Sequence, residues 1–339
     1  MKRSAKSLQS NKKISLLFLA AVLLFLVSAA LGLLSGSASI SLYDIINAVK
    51  NGPVGANERI FIFARLPRTI ACLLVGSALS VAGAIMQNVL ANKLASPGIV
   101  GVNSGAGLAI TLCTAFGLYG GWRMSFFSFI GAFLTALAVS LIARRFASSN
   151  GSVILIGVAI NSILNAFSDA IITLFPNIAM MSADFRIGDF SAVTYHKLLP
   201  STVIILITLT VAIIFSKELD VITLGEESAR GLGLNVRLMR TVFLIISALL
   251  AGAAVSLAGL ISFVGLIVPH AVRLMGITRS KHLLPLCALF GAGFVTLCDT
   301  VAKTVFSPYE IQVGIIMAFL GAPFFIFVII KKKGVRVND

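Results

Sequence analysis

The chain has 339 residues, of which 58% are hydrophobic and only 12% are charged. This is far more apolar surface than the core of one soluble protein of that length can bury. The formal net charge of +15 suits a nucleic-acid-binding protein, but the Lys and Arg residues lie between apolar segments and form no soluble basic face. We therefore expect an integral membrane protein that contacts the lipid bilayer and binds no nucleic acid.

The apolar segments have the length of membrane helices. Segments of about 18 or more apolar residues cross a hydrocarbon layer as α-helices, whereas barrel strands alternate over about ten residues. Residues 1–13 are basic and precede an apolar run at 14–34, which is longer than the core of a secretory signal and favours a retained helix over a cleaved signal. Nine further spans are predicted at 66–90, 98–116, 124–143, 153–175, 198–215, 242–260, 261–275, 283–305 and 311–330. The predicted fold is an all-α integral membrane protein, a polytopic bundle of about ten transmembrane helices in a single domain, 1–339.

The distribution of Lys and Arg predicts the orientation of this bundle. An even number of spans places both termini on one side, and cytoplasmic loops are enriched in Lys and Arg. With both termini cytoplasmic, 19 of the 27 Lys and Arg residues lie inside and 8 lie outside. We predict a cytoplasmic N-terminus at 1–13, a main cytoplasmic loop at 216–240, a cytoplasmic tail at 331–339, and long outer loops at 35–64 and 176–197.

Two parts of the chain resemble each other. Arg-Leu-Pro-Arg-Thr at 65–69 and Ser-Val-Ala-Gly at 80–83 recur as Arg-Leu-Met-Arg-Thr at 237–241 and Ser-Leu-Ala-Gly at 256–259. On the predicted topology the first copy begins outside and the second inside, which is typical of the inverted repeats of transporters. A chance match within low-complexity apolar sequence is the alternative.

The sequence contains no catalytic, metal-binding or cofactor-binding pattern. His196, His270 and His282 are far apart, and neither a His-Glu-x-x-His motif nor a Gly-x-x-x-x-Gly-Lys-Ser/Thr phosphate loop occurs. The four cysteines stand singly in apolar segments, without the paired spacing of a zinc site or a disulfide framework. We expect a protein that is not an enzyme, and any use of ATP must occur through a partner.

A few polar residues lie inside the predicted spans, where they are costly and therefore candidates for function. Asp169 is one, and Asp299 with Lys303 forms an i,i+4 pair that is either a plain salt bridge or a functional site. Asn161 and Asn165 share one helix face. They either line a polar translocation path or hydrogen-bond to neighbouring helices.

Several motifs in collinear order resemble those of one transporter family. The stretch 65–69, followed by Leu-Val-Gly-Ser-Ala-Leu-Ser-Val-Ala-Gly at 74–83 and Met86-Gln87, is similar to the second helix of the permease family of ATP-binding-cassette (ABC) importers for iron–siderophore, haem and cobalamin. The further matches are Pro97-Gly98-Ile-Val-Gly-Val-Asn-Ser-Gly-Ala-Gly at 97–107, Leu-Gly-Glu-Glu-Ser-Ala-Arg-Gly-Leu-Gly at 224–233, Phe-Val-Gly-Leu-Ile-Val-Pro269-His270 at 263–270, and Gly-Ala-Pro-Phe at 321–324. Each motif is weak alone, but the ordered set, from about residue 65 to residue 330, is specific.

The resemblance implies a function, a location and partners. It implies import of iron–siderophore, haem or cobalamin-type chelates across a bacterial cytoplasmic membrane by a dimer of permease subunits, either homodimeric or heterodimeric. Two cytoplasmic ABC ATPase subunits would supply the energy, and an external substrate-binding protein would deliver the substrate. Two alternatives remain open: a secondary transporter driven by an ion gradient, for which Asp169 is the only candidate coupling carboxylate, and a non-transporting membrane anchor or sensor.

The resemblance also assigns roles to particular residues. In the family, the segment that matches 224–233 forms short coupling helices that contact the ATPase, and a solvated loop is the alternative. The coupling candidates here are Gly225, Glu226, Glu227, Ala229, Arg230 and Gly231. Arg65 and Arg68 match arginines that dock the binding protein, a role that suits guanidinium because its planar fork binds a carboxylate with two nitrogens. Lys303 stands where the family has a third arginine, and lysine keeps the charge without the fork.

Overall fold

The computed structural model describes residues 2–36, 38–118, 121–146 and 150–334, and all regular secondary structure in these ranges is helical. The helices are α1 Lys2–Leu34, α2 Leu42–Asn51, α3 Ala56–Ile60, α4 Leu66–Val89, α5 Val102–Ala115, α6 Gly121–Phe146, α7 Asn150–Leu174, α8 Asn177–Ile187, α9 Tyr195–Ile214, α10 Ser216–Ile222, α11 Glu226–Gly231, α12 Val236–Ala258, α13 Val264–Leu274, α14 Ser280–Thr304 and α15 Val313–Gly334. A π-helical segment, Phe61–Arg65, joins α3 to α4, and a 3₁₀ turn, Pro97–Val100, precedes α5.

Seven of the described helical segments are long and apolar enough to cross a membrane, and three shorter apolar helices accompany them. The seven contain α1, α4, α6, α7, α9, α12 and α14. The three shorter ones are α5, α13 and the first part of α15. The predicted all-α bundle of about ten transmembrane helices is therefore confirmed.

Helices α4 and α12 form the centre of the bundle. Of the most apolar stretch of each helix, 78% is buried in the segment that contains α4 and 83% in α12. The corresponding fractions are 11% in α1 and 17% in α7. The segments that resemble each other in sequence begin at these two central helices, which contact each other through the Ser247 hydroxyl and the Ala82 carbonyl at 3.2 Å. The inverted relation between them stays a prediction.

The contacts along α14 give the relative directions of its neighbours. Asn88 of α4 bonds Ser280 near the start of α14, and Ser80 bonds the Cys287 carbonyl further along, so α4 and α14 are antiparallel. In contrast, Phe18 of α1 lies against His282, and the Gly32 carbonyl later in α1 accepts from Lys303 near the end of α14. Helices α1 and α14 are therefore parallel, as the predicted order of spans requires.

Glycine allows α4 to approach α13 closely. A Cβ atom on Gly83 would overlap the backbone of Gly265, and Gln87 one turn later donates to the Gly265 carbonyl at 3.1 Å. In lipid, van der Waals packing of this kind must hold helices together because lipid tails are as apolar as the helix surfaces.

The predicted outer loop 35–64 contains a short helix, α2, with a reciprocal N-terminal cap. The Asp44 amide donates to the Ser41 hydroxyl at 3.2 Å, and the Ser41 amide donates to the Asp44 carboxylate at 2.9 Å. This backbone hydrogen bond lowers the pKa of Asp44, because it favours the charged carboxylate. Asn57 at the start of α3 also donates to Asp44, at 3.1 Å, which joins the two helices.

Candidate functional site

A polar cavity of about 330 Å³ lies between α5, α7 and α8. Its lining residues are Gly98, Asn103, Ser104, Gly107, Asn161, Asn165, Ser168, Arg186 and Leu260. Amide, hydroxyl and guanidinium groups therefore converge inside an otherwise apolar bundle. Polar and ionisable side chains inside a membrane bundle are costly, and they are therefore candidates for a substrate or ion pathway.

The 3₁₀ turn before α5 forms one wall of this cavity. Gly101 ends the turn at φ +87°, a left-handed conformation that glycine adopts without strain. On the facing helix α7, a Cβ atom on Gly157 would overlap the Ile99 carbonyl oxygen. Pro97 and Gly98, two residues of the family motif, open the turn. The motif thus builds the cavity wall from backbone that approaches α7 closely.

Asn161 both lines the cavity and joins its walls. Its side-chain nitrogen donates to the Gly98 carbonyl at 3.0 Å, and its oxygen accepts from the Ser104 hydroxyl. Asn165, one turn further along α7, also lines the cavity. The two alternatives for this asparagine pair, a polar pathway and hydrogen bonds between helices, are therefore compatible in Asn161.

Arg186 is a lining residue that the sequence pattern did not indicate. Its guanidinium lies 3.5 Å from the carboxylate of Asp169, and the Asp169 side chain is 70% exposed. Asp169 is five residues from the end of α7, roughly 8 Å along a helix axis. It is therefore near one end of its span, away from the midplane where the ion-driven alternative requires a coupling carboxylate.

Two further family motifs, at 263–270 and 321–324, contact each other away from this cavity. The ring of His270, which follows the buried Pro269 in α13, lies edge-on to the ring of Phe324 in α15, with centroids 6.1 Å apart. A Cβ atom on Gly321 would overlap the ring of Phe263. The motifs at 263–270 and 321–324 therefore form one packing contact.

The predicted coupling segment, 224–233, contains the short helix α11, and the short helix α10 precedes it. Gly225 precedes α11 at φ +98°, and within α11 Arg230 pairs with Glu226. Glu227 and Gly231 are exposed, whereas Ala229 is fully buried against the chain itself. A partner would therefore meet the exposed face of α11 and not Ala229.

Two exposed leucines flank α11 and were not singled out from the sequence. Leu224 is 61% exposed and Leu232 is 66% exposed. Both lie in the loop segment 224–233, outside the membrane-crossing helices. Large apolar side chains exposed together outside the lipid are typical of a protein contact.

The three predicted docking residues are largely buried in this structure. Arg65 donates to the carbonyls of Leu33 and Leu34 at 3.2 and 2.7 Å, and also to Ala38. Lys303 donates to the Gly32 carbonyl at 2.7 Å. Because the last four carbonyls of a helix have no partner within it, these two cations cap the C-terminal end of α1.

Arg68 forms an ion-pair cluster instead. Its guanidinium contacts Asp299 at 2.9 Å and Glu310 at 2.6 Å. The expected pair of Asp299 with Lys303 is present but longer, at 3.9 Å. Only 11% of the Arg68 side chain is exposed, so docking by these three residues stays a prediction.

The comparisons with known proteins agree on one family. Residues 22–331 match the FecCD transport family. A vitamin B12 import system permease protein, BtuC, of Yersinia pseudotuberculosis is 37% identical over 276 residues, which cover 80% of this chain and 82% of that protein. An uncharacterized ABC transporter permease protein of Bacillus subtilis, YvrB, is 36% identical over 320 residues, covering 90% of this chain and 91% of that protein.

A solved structure also matches the fold of this chain over nearly the full length of both chains. It is described as an inward-facing conformation of a metal-chelate type ABC transporter, and it superposes with a TM-score of 0.82 at 27% identity, covering 94% of this chain and 99% of that chain. The expectation of an ABC permease, based on ordered motifs, is thereby confirmed. The chain belongs to the FecCD transport family and is the membrane permease subunit of an ABC importer.

Proposed function

We propose that this permease carries metal chelates of the iron–siderophore, haem or cobalamin class into a bacterial cytoplasm. The observation that carries the proposal is the polar cavity between α5, α7 and α8 within a chain of the FecCD transport family. Its relatives include vitamin B12 import permeases. The amides and hydroxyls of this cavity offer hydrogen bonds to a large polar complex, and Arg186 adds one positive charge to the lining.

The translocation path lies, in this proposal, along the exposed polar face of α7. Only 17% of the most apolar stretch of this helix is buried, and Ser162 and Asn165 are exposed. Polar side chains that face lipid are costly, so a second permease subunit is the better neighbour for this face. The path would then run between the two subunits, with Asn161 and Asn165 on its wall.

ATP-driven movement would enter through the coupling segment. The sequence contains no Gly-x-x-x-x-Gly-Lys-Ser/Thr phosphate loop, so we assign hydrolysis to two partner ATPase subunits. Leu224 and Leu232 offer apolar contacts to the partner, while Glu227 and the Glu226–Arg230 pair offer charged ones. Because the ATPase subunits are cytoplasmic, segment 216–240 and both termini would lie on the cytoplasmic side. The distribution of Lys and Arg favours the same orientation.

Docking of an external binding protein is assigned to the end of the bundle that carries Arg68. Glu310 beside it is 37% exposed, so the cluster reaches the surface there. Arg65 and Lys303 would contribute indirectly by holding the end of α1. Of the three residues, only Arg68 would contact the binding protein directly.

An uptake assay with several chelates tests the proposed cargo. The full chain is reconstituted in vesicles with its ATPase subunit and binding protein, and uptake of labelled cobalamin, haem and a ferric siderophore is compared in the presence of ATP. We expect ATP-dependent uptake of one of these classes. Uptake of none of them, in vesicles that import a different kind of solute, would contradict the proposed substrate class.

A further inference from the structure

A second cavity, of about 80 Å³, lies beside the coupling segment and is lined by three arginines. Arg144 comes from the last turn of α6, and Arg237 and Arg240 come from the first two turns of α12. Glu226 of α11 is the one carboxylate residue among the lining residues. The cavity therefore gathers three positive charges and one negative charge from three helices.

The negative charge of Glu226 is already used, because it pairs with Arg230. None of the ion pairs among the described residues involves Arg144, Arg237 or Arg240. The Nε atom of Arg240 is buried and has no hydrogen-bond partner. A buried donor without an acceptor is costly and rare, so we expect this N–H group to find its acceptor outside the chain.

The position of the cavity indicates where that acceptor comes from. It lies at the ends of α6 and α12, two helices long enough to cross the membrane, and therefore at the level where lipid headgroups meet water. Leu141, one turn before Arg144 in α6, is 51% exposed, so apolar surface lies next to the cavity on this helix. A headgroup in the cavity would leave its acyl chains along this apolar surface.

We propose that this arginine pocket, formed by Arg144, Arg237 and Arg240, binds a phosphate group. A phosphate oxygen would accept the free N–H of Arg240, and the planar guanidinium forks of the other two match phosphate geometry. The phosphate belongs either to an anionic phospholipid of the cytoplasmic leaflet, since basic pockets between helices on that side bind such headgroups, or to a soluble phosphate compound. In both cases it joins α6 to α12 next to the coupling segment.

Lipid binding by the full chain tests the pocket. The purified, delipidated protein is titrated with phosphatidylglycerol or phosphatidylcholine, and bound lipid is counted by native mass spectrometry. We expect preferential retention of phosphatidylglycerol and an affinity loss of about tenfold in R144Q and in R240Q, since a hydrogen bond to a charged group is worth roughly one factor of ten or more. Because Arg144 is exposed, we expect R144Q to fold. Lipid binding by R144Q therefore tests the pocket even if R240Q unfolds.

R145Q is the matched control. It removes the same charge from the same helix end, but Arg145 lies over the ring of Phe146, 5.5 Å from the centroid, and does not line the pocket. We expect R145Q to retain phosphatidylglycerol like the unmodified chain. An equal loss of phosphatidylglycerol affinity in R145Q and R144Q would show that diffuse surface charge, and not the arginine pocket, binds the lipid.

Inorganic phosphate separates the two sources. It replaces chloride at equal ionic strength, and the melting temperature and the bound phosphatidylglycerol are both measured. Displacement of the lipid together with a raised melting temperature in the unmodified chain, but not in R144Q, assigns the pocket to a soluble phosphate. If phosphatidylglycerol stays bound in the presence of phosphate, and is preferred over phosphatidylcholine, the pocket binds the lipid headgroup. Equal retention of phosphatidylglycerol and phosphatidylcholine, with no effect of phosphate, would overturn the proposal.

Discussion

Arg68 of α4 binds the carboxylate of Asp299 of α14 with two nitrogens. The Nε atom lies 3.1 Å from each carboxylate oxygen, and Nη2 lies 2.9 Å from Oδ1. Because Asp299 is almost fully buried, this two-point contact holds together two antiparallel helices at one end of the bundle.

The first prediction concerns this ion pair. D299N removes the buried one of the two carboxylates that pair with Arg68, and breaking a buried pair on one side costs about 3 kcal/mol or more. Thermal unfolding of the purified chain should show a clearly lower melting temperature. The control is D169N, whose exposed pair with Arg186 is worth less than about 1 kcal/mol. Equal melting of the two variants would show that the Arg68–Asp299 pair does not stabilise the bundle.

The second prediction separates a structural role of Arg65 from a docking role. R65Q removes the donors to the Leu33 and Leu34 carbonyls, so we expect a lower melting temperature and faster labelling of a cysteine introduced at Ser35. R59Q serves as the control, because Arg59 is exposed and makes one long contact, 3.4 Å to the Pro53 carbonyl. If R65Q melted like the unmodified chain but lost binding-protein affinity, Arg65 would be a docking residue.

The third prediction concerns close helix packing. G83A introduces a Cβ atom that overlaps the Gly265 backbone, and since backbone cannot move aside cheaply, α4 and α13 must separate. We expect a loss of stability of about 2 kcal/mol or more, as is usual for overpacking. G107A is the matched control, because nothing lies within 4 Å of its added Cβ. Unchanged stability in G83A would contradict the close contact of α4 with α13.

The fourth prediction concerns the translocation path. N165F fills part of the polar cavity, so the rate of uptake in reconstituted vesicles should fall by about tenfold or more while assembly with the ATPase is unchanged. I163F places the same side chain at an exposed position of α7 outside the cavity lining. If the two variants slowed uptake equally, the cavity would not be part of the path.

The transmembrane architecture was largely readable from the sequence because long apolar runs have few alternatives to membrane helices. The residues at which the helices start were harder to predict. The span predicted from residue 242 begins at Val236 in α12, because charged residues such as Arg237 continue the helix beyond the hydrocarbon layer and lower the hydropathy. The short helices α2 and α8 lie in segments predicted as outer loops, since they are too short to give an apolar run.

The candidate site was predictable only where its signal is local. The i,i+4 spacing of Asn161 and Asn165 indicated one polar face of α7, and both residues line the cavity. Arg186 gave no local signal, because it reaches the cavity through tertiary packing. The burial of Arg65 was equally hidden, since its partners lie about 30 residues earlier in the chain.

The energy source of uptake distinguishes an ABC permease from a transporter driven by an ion gradient. Vesicles containing the full chain and its binding protein are compared with and without the ATPase subunits, under ATP or under an imposed proton or sodium gradient, and L232D is included to weaken the coupling contact. We predict uptake only when both the ATPase subunits and ATP are present, and reduced uptake in L232D. Uptake driven by an ion gradient without the ATPase, at the rate of the complete system, would contradict it.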